Sequence, residues 1–190
     1  QRLVADHRPL LGGGLVHARE GGGHDRHHPT VGPGGSPPDA DPANLYSETT
    51  AAKLGVAVAG DLPRVYVPHV QSNDVYVIDP ATFTVVGKIK VGLNPQHVVP
   101  SWDLRTLWVA NNAENSNKGS LTVVDPTTGK PGKTIPVEDP YNMYWTPDGK
   151  HAIVVAEAFK RLDFRDAQTM KLDYSINTPD CDGINHADFS

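Results

Sequence analysis

An all-β fold assembled from repeated four-stranded units is predicted by three observations. Short β-branched and aromatic runs fill the chain from Leu62 onward, Asp-Pro, Asn-Pro and Asp-Gly turns punctuate them, and the pattern recurs at a period in the mid-forties. No segment after residue 62 carries apolar residues at spacings of three and four over enough turns to make a helix. A period of that length marks propeller blades, which are antiparallel four-stranded sheets set around a channel.

The innermost strand of each unit ends at Ser101, Thr146 or Ser190, which lie 45 and 44 residues apart. The runs leading to them are Pro95-Gln-His-Val-Val-Pro-Ser101, Pro140-Tyr-Asn-Met-Tyr-Trp-Thr146 and Ile184-Asn-His-Ala-Asp-Phe-Ser190. A second strand follows as Leu107-Trp-Val-Ala110 and Ala152-Ile-Val-Val155, with Val65-Tyr-Val-Pro68 as an earlier copy. A third ends at Asp79, Asp125 and Asp166, and a fourth runs through Ile89, Ile135 and Ile176. At Asp79-Pro80 and Asp125-Pro126 a side-chain acceptor precedes a ring-fixed φ, which favours a type I turn. Thr146-Pro147-Asp148-Gly149 predicts a hairpin.

Counted this way, the chain holds the outer three strands of one blade (62 to 91), two whole blades (95 to 137 and 140 to 178) and the innermost strand of a fourth. The missing inner strand of the first blade has two candidates: Leu54-Gly-Val-Ala-Val-Ala59, or a strand from a distant carboxy terminus. Each unit is apolar on both faces and needs neighbours to cover it. A β-sandwich also uses short strands but does not predict a four-element repeat. A ring of seven blades needs more than about 300 residues, so the sequence is expected to be the amino-terminal part of a longer propeller.

Residues 1 to 45 differ. Through residue 42 they carry nine glycines, six prolines and five of the nine histidines, and the first aromatic is Tyr46. So little apolar area does not offset the roughly 1 to 2 kcal/mol that ordering each backbone residue costs, and a disordered leader is expected. Residues 46 to 61 are then a linker or the first inner strand. His24, Asp25, His27 and His28 are competent metal ligands, but a solvated polar tract is the simpler reading. No apolar run approaches the roughly 18 to 20 residues of a spanning helix. With 17 basic against 22 acidic residues and a net charge of -5, the chain has the wrong sign for a general nucleic-acid binder. The single cysteine, Cys181, excludes an internal disulfide and any zinc site of two or more thiolates.

Arg64-Val-Tyr-Val-Pro-His69 with Asn73-Asp-Val-Tyr-Val-Ile-Asp-Pro80, and Leu107-Trp-Val-Ala-Asn-Asn112 with Leu121-Thr-Val-Val-Asp-Pro-Thr-Thr-Gly129, resemble the repeats of YVTN-repeat, YncE-like β-propellers. Trp145-Thr-Pro-Asp-Gly-Lys150 is similar to that family's hairpin after the innermost strand. The resemblance covers roughly residues 62 to 190. It departs in the third unit, where Leu162-Asp-Phe-Arg-Asp166 replaces the usual Val-Ile-Asp-Pro ending and loosens the expected register. It implies an extracytoplasmic protein, periplasmic, secreted or at the cell surface. Similar propellers include sugar-lactone hydrolases, quinone-dependent dehydrogenase subunits and the propeller of nitrous oxide reductase, so the fold leaves function open.

In the alignment His97, Asn142 and His186 share one position on three successive inner strands. If the blades close, that position rings the channel mouth, where His97 and His186 would suit copper or another divalent metal. The resemblance to nitrous oxide reductase, which uses channel histidines, implies the same, though Asn142 interrupts the ring. Asp188 lies two residues from His186 on one strand face, an arrangement suited to a base and its orienting partner. A hydrolase would want a second carboxylate at the equivalent positions, where Val99 and Tyr144 stand. Tyr141, Tyr144 and Trp145 either line a ligand platform or pack blades together. The loop Asn111 to Gly119 either reads a partner surface or is a solvated hairpin tip. The expectation is therefore a binding or scaffold propeller that meets a small molecule or protein at its mouth through Tyr141, Asn142, Tyr144 and Asp188. The alternative is a metal-dependent redox or hydrolytic site on His97 and His186.

Overall fold

The computed structural model describes residues 3–5, 53–114 and 116–189. Nearly all of the expected leader, including His24, Asp25, His27 and His28, lies outside them. The described chain holds three antiparallel sheets in sequence order. The first contains β2 (Val65–His69), β3 (Asp74–Asp79) and β4 (Thr84–Lys90). The second runs β5 (Pro95–Pro100), β6 (Leu107–Asn111), β7 (Ser120–Val124) and β8 (Pro131–Pro136). The third runs β9 (Pro140–Trp145), β10 (His151–Ala156), β11 (Arg161–Asp166) and β12 (Leu172–Asn177). Finally β13 (Ala187–Phe189) pairs antiparallel with β1 (Leu3–Ala5), Phe189 opposite Leu3.

The expected strand order holds in all three sheets, with one of the two candidates for the first inner strand removed. Leu54–Ala59 is not a strand: Val56–Val58 form a single 3-10 turn, and Leu54 and Val56 are 70% and 82% exposed. Alignment with the repeat alone did not secure a sheet partner there. The Leu62 amide instead donates to the Pro126 carbonyl at 3.1 Å, which leads the chain in beside the second sheet's outer turn.

The recurring aspartates explain where strands stop. The amides of Ala81, Thr127 and Thr169 donate to the side chains of Asp79, Asp125 and Asp166, each at 2.8 Å. The amides of Phe83, Gly129 and Met170 donate back to the carbonyls of the same three aspartates at 2.7 to 2.9 Å, and all three donors have positive φ. The inner hairpins form a second matched set. The hydroxyls of Ser101 and Thr146 donate to Asp103 and Asp148 at 2.6 and 2.7 Å, and each accepts an amide from five residues on.

Side-chain alternation then decides how the sheets meet. In β6, Trp108 and Ala110 pack with Met143, Ala152 and Val154 of the third sheet, whereas Val109 packs with Val75, Val77 and Ile89 of the first. In β10, Ala152 and Val154 face the second sheet, while Ile153 and Val155 pack with Leu162, Phe164 and Ile184 on the far side. The two central strands of the middle sheet, β6 and β7, are thus covered on both faces, which is a stack of blades and not a two-layer sandwich. Each fully buried aliphatic side chain, such as Val109, Leu121 or Val154, contributes about 1.5 to 3 kcal/mol.

The irregular third unit keeps its blade geometry through ionic contacts. Asp163 is fully buried, accepting from Arg161 Nε at 2.8 Å, Ser175 Oγ at 2.7 Å and Arg165 Nη2 at 3.3 Å. Burial alone would push its carboxyl up, but the bonds from Arg161 and Ser175 outweigh that and hold it below the ordinary range. The register shift between Phe164 and Arg165 has counterparts at Val77/Ile78 and Thr122/Val124, so the third unit keeps the register of the other two despite its different sequence.

Candidate functional site

In each unit the chain entering the next inner strand crosses the tip of an outer hairpin. Val91 N donates to Asn73 O, Val137 N to Gly119 O and Thr178 N to Lys160 O, at 2.8 to 3.3 Å. These junctions gather at one end of the sheets. There β5 and β9 begin, and the segment before β13 approaches them.

Three rings from these three segments converge. The His97 ring lies 5.0 Å from Tyr141 and 5.7 Å from His186, with Tyr141 and His186 6.2 Å apart, all edge to face. His97 Nδ1 is 2.8 Å from the Tyr141 carbonyl, 44 residues away. A carbonyl oxygen only accepts, so Nδ1 is the donor, and in the neutral ring Nε2 is the nitrogen left with a lone pair. His186 Nδ1 sits 3.0 Å from the Asn185 side-chain amide. His97 thus has its Nδ1 held by a backbone oxygen, as is usual in metal-ligating histidines.

The remaining residues singled out from sequence are placed as follows. The buried Asn142 side chain donates to the Tyr144 hydroxyl at 3.1 Å and accepts the Met143 amide at 2.8 Å, so it does not join the rings. The Tyr144 hydroxyl also accepts the Ala187 amide at 3.0 Å and thereby anchors β13 to the third sheet. The Asp188 backbone lies opposite Val4 within β13. Cys181 packs against the Ile153 cluster. In the Asn111 to Gly119 loop, the buried Asn111 amide donates to Ser120 and Thr122, which makes that end of the loop a structural brace.

Two carboxyl groups at the mouth were not apparent from sequence. Burial pushes the half-buried Glu157 carboxyl up, nearby Asp139 adds to the shift, and His186 opposes it. Asp139 is itself buried and accepts the Ala158 amide at 2.6 Å. Glu157 occupies a hairpin tip and Asp139 a junction, positions whose proximity to His186 depends on the stacking and has no local signal. Among the described residues, no three His, Cys, Asp or Glu side chains are placed to hold one metal ion together. No helix of the described residues is long and apolar enough to cross a membrane.

The family described as YNCE-like beta-propeller matches residues 38–178. Among solved structures, Kuenenia stuttgartiensis hydrazine synthase is similar at 27% identity and a TM-score of 0.53, over 65% of this chain and 35% of its own. Putative 6-phosphogluconolactonases from Bacteroides uniformis ATCC 8492 and Bacteroides fragilis NCTC 9343 are similar at 17% identity, with TM-scores of 0.51 and 0.52. They cover 67% of this chain and 40% and 39% of their own, and at that identity they support the fold alone. The chain thus spans between about a third and two fifths of the structures it resembles. No curated protein matches it.

Proposed function

This chain belongs to the YncE-like β-propeller family, and on that premise we propose that it forms part of an exported binding or scaffold propeller whose small-molecule or protein ligand meets the channel mouth. The observation that carries the proposal is the convergence of His97, Tyr141 and His186 from three separate segments, within 5.0 to 6.2 Å of one another. Aromatic faces, two imidazoles and the half-buried Glu157 together make a surface with both apolar area and polar groups. The similar structures carry names as different as hydrazine synthase and 6-phosphogluconolactonase, which favours a shared frame with site-specific chemistry. A fragment library screened by ligand-observed NMR tests this. Fragments that bind the wild type and are lost in both His97→Ala and Tyr141→Ala support it. Hits indifferent to both substitutions, or no hits, count against it.

A second reading is favoured by the approach of the two imidazoles, whose centroids lie 5.7 Å apart: His97 and His186 as two ligands of copper or another divalent cation. A bound cation would supply Lewis-acid or redox chemistry at the mouth, and the chain's part would be to hold the His97 ring through Tyr141 O and the His186 ring beside the Asn185 side chain. Titration with copper and zinc should show stoichiometric uptake abolished by either His97→Ala or His186→Ala. Uptake that survives both substitutions would reject these residues as ligands.

A further inference from the structure

His186 reaches the mouth on a segment held at two points, and Tyr144 takes part in both. Two residues before it, Ile184 is buried among Ile153, Val155, Leu162 and Phe164, and the Tyr144 ring packs against the same cluster. One residue after it, the Ala187 amide donates to the Tyr144 hydroxyl at 3.0 Å, across 43 residues of sequence. Between these ties the His186 side chain is exposed, and its polar contact is to the adjacent Asn185, which moves with it. Edge-to-face contacts with His97 and Tyr141, at 5.7 and 6.2 Å, are weak beside the entropy cost of ordering an exposed side chain. The backbone ties therefore decide where the ring stands.

Asn142 and Tyr144 lie two apart on β9, so their side chains share a face. The Met143 amide is a donor, which assigns Asn142 Oδ1 to it at 2.8 Å and turns Nδ2 toward the Tyr144 hydroxyl at 3.1 Å. The phenol oxygen thus accepts from two sides, from Asn142 in its own strand and from Ala187 in the arriving segment. Asn142 is buried, so losing that acceptor would leave its amide without water as a substitute. The repeat position that carries His97 in the second unit carries Asn142 in the third. There it supplies no ring but supports the residue that holds the next histidine.

We infer that Tyr144, steadied by Asn142, is the positioning residue of the mouth: its hydroxyl sets His186 against His97 and Tyr141, and the pair serves a ligand through His186. The assignment rests on the mouth as the binding site proposed above, but its test needs no ligand. Tyr144→Phe keeps the ring in the Ile153 cluster and removes only the hydroxyl. In Nuclear Overhauser spectra the cross-peak between the His97 and His186 rings should be lost, while that between His97 and Tyr141, which joins β5 to β9 without β13, is retained. Hydrogen exchange of the Ala187 amide should quicken at least about tenfold, because its acceptor is gone. Asn142→Ala, which leaves the hydroxyl but removes its second donor, should quicken the same exchange by a smaller factor. A His97–His186 cross-peak that survives Tyr144→Phe, or Ala187 exchange unchanged in either variant, would overturn the assignment. Loss of both cross-peaks would make Tyr144 a support of the whole stack and overturn it too. A failed fragment screen together with selective loss of the His186 cross-peak would reject the binding reading and leave the positioning role standing.

Discussion

Two glycines share a backbone conformation but not an environment, and replacing each by alanine isolates one contact between blades. Gly129 and Gly149 both have φ +68°. At Gly129 an added Cβ meets nothing closer than Tyr66 Oη at 3.8 Å, so Gly129→Ala carries left-handed backbone strain only. That strain is about 1 to 2 kcal/mol, partly offset by the lower entropy of the unfolded alanine chain, leaving a net of about 1 kcal/mol. At Gly149 the same atom would stand 2.5 to 2.8 Å from three ring carbons of Trp102. Gly149→Ala therefore adds the displacement of a packed indole, about 1 to 3 kcal/mol more. Urea unfolding followed by circular dichroism gives both costs, and repeating Gly149→Ala in a Trp102→Ala background gives the coupling. The excess should vanish in that background, leaving Gly149→Ala equal to Gly129→Ala. Equal costs in the wild-type background, or strict additivity with Trp102→Ala, would refute the blade contact.

Leu121→Ala removes a fully buried side chain at the junction of the second and third sheets and should cost about 2 to 5 kcal/mol, against under about 0.5 kcal/mol for the half-exposed Leu172→Ala, both read from urea midpoints. Asp74 should make stability pH-dependent. Burial would raise its carboxyl, but bonds from Lys88, His69 and Ser72 hold it at about 2 against an ordinary 3.8. A depressed folded value stabilises fully above pH ~4 and is lost as pH falls toward ~2, so Asp74→Asn should flatten the acid limb of stability between those values. An unchanged limb would assign acid lability to other carboxylates, of which Asp148, also at about 2, is the first to examine.

Strand positions were legible because the boundary residues act locally. Asp79, Asp125 and Asp166 each bond amides within four residues, so their spacing sets strand ends whatever lies beyond. Leu54–Ala59 stayed one of two candidates for the opposite reason: it aligns with the inner strands but has no turn signal of its own, strand formation needs a neighbouring edge, and the bond from Leu62 to Pro126 leads the chain elsewhere. At the mouth, His97 and His186 could be selected by their shared repeat position. The third ring is Tyr141 and not its neighbour Asn142, because the Asn142 amide bonds to Tyr144. The place of Glu157 and the contact of Trp102 with Gly149 were invisible because both arise between units. Trp102 gains its meaning only when Gly149, from the next blade, is laid against it.

The stacking of sheets and the convergence of rings are tested together by the proximity of His97 to Tyr141 and His186. Nuclear Overhauser spectra of protein labelled selectively at histidine and tyrosine should show cross-peaks from the His97 ring to the Tyr141 ring, at 5.0 Å between centroids, and to the His186 ring, at 5.7 Å. Tyr141 is 44 residues from His97 in sequence, so only adjacent inner strands produce the first signal. Assigned His97 resonances with no cross-peak to either ring would contradict both the blade order and the mouth built upon it.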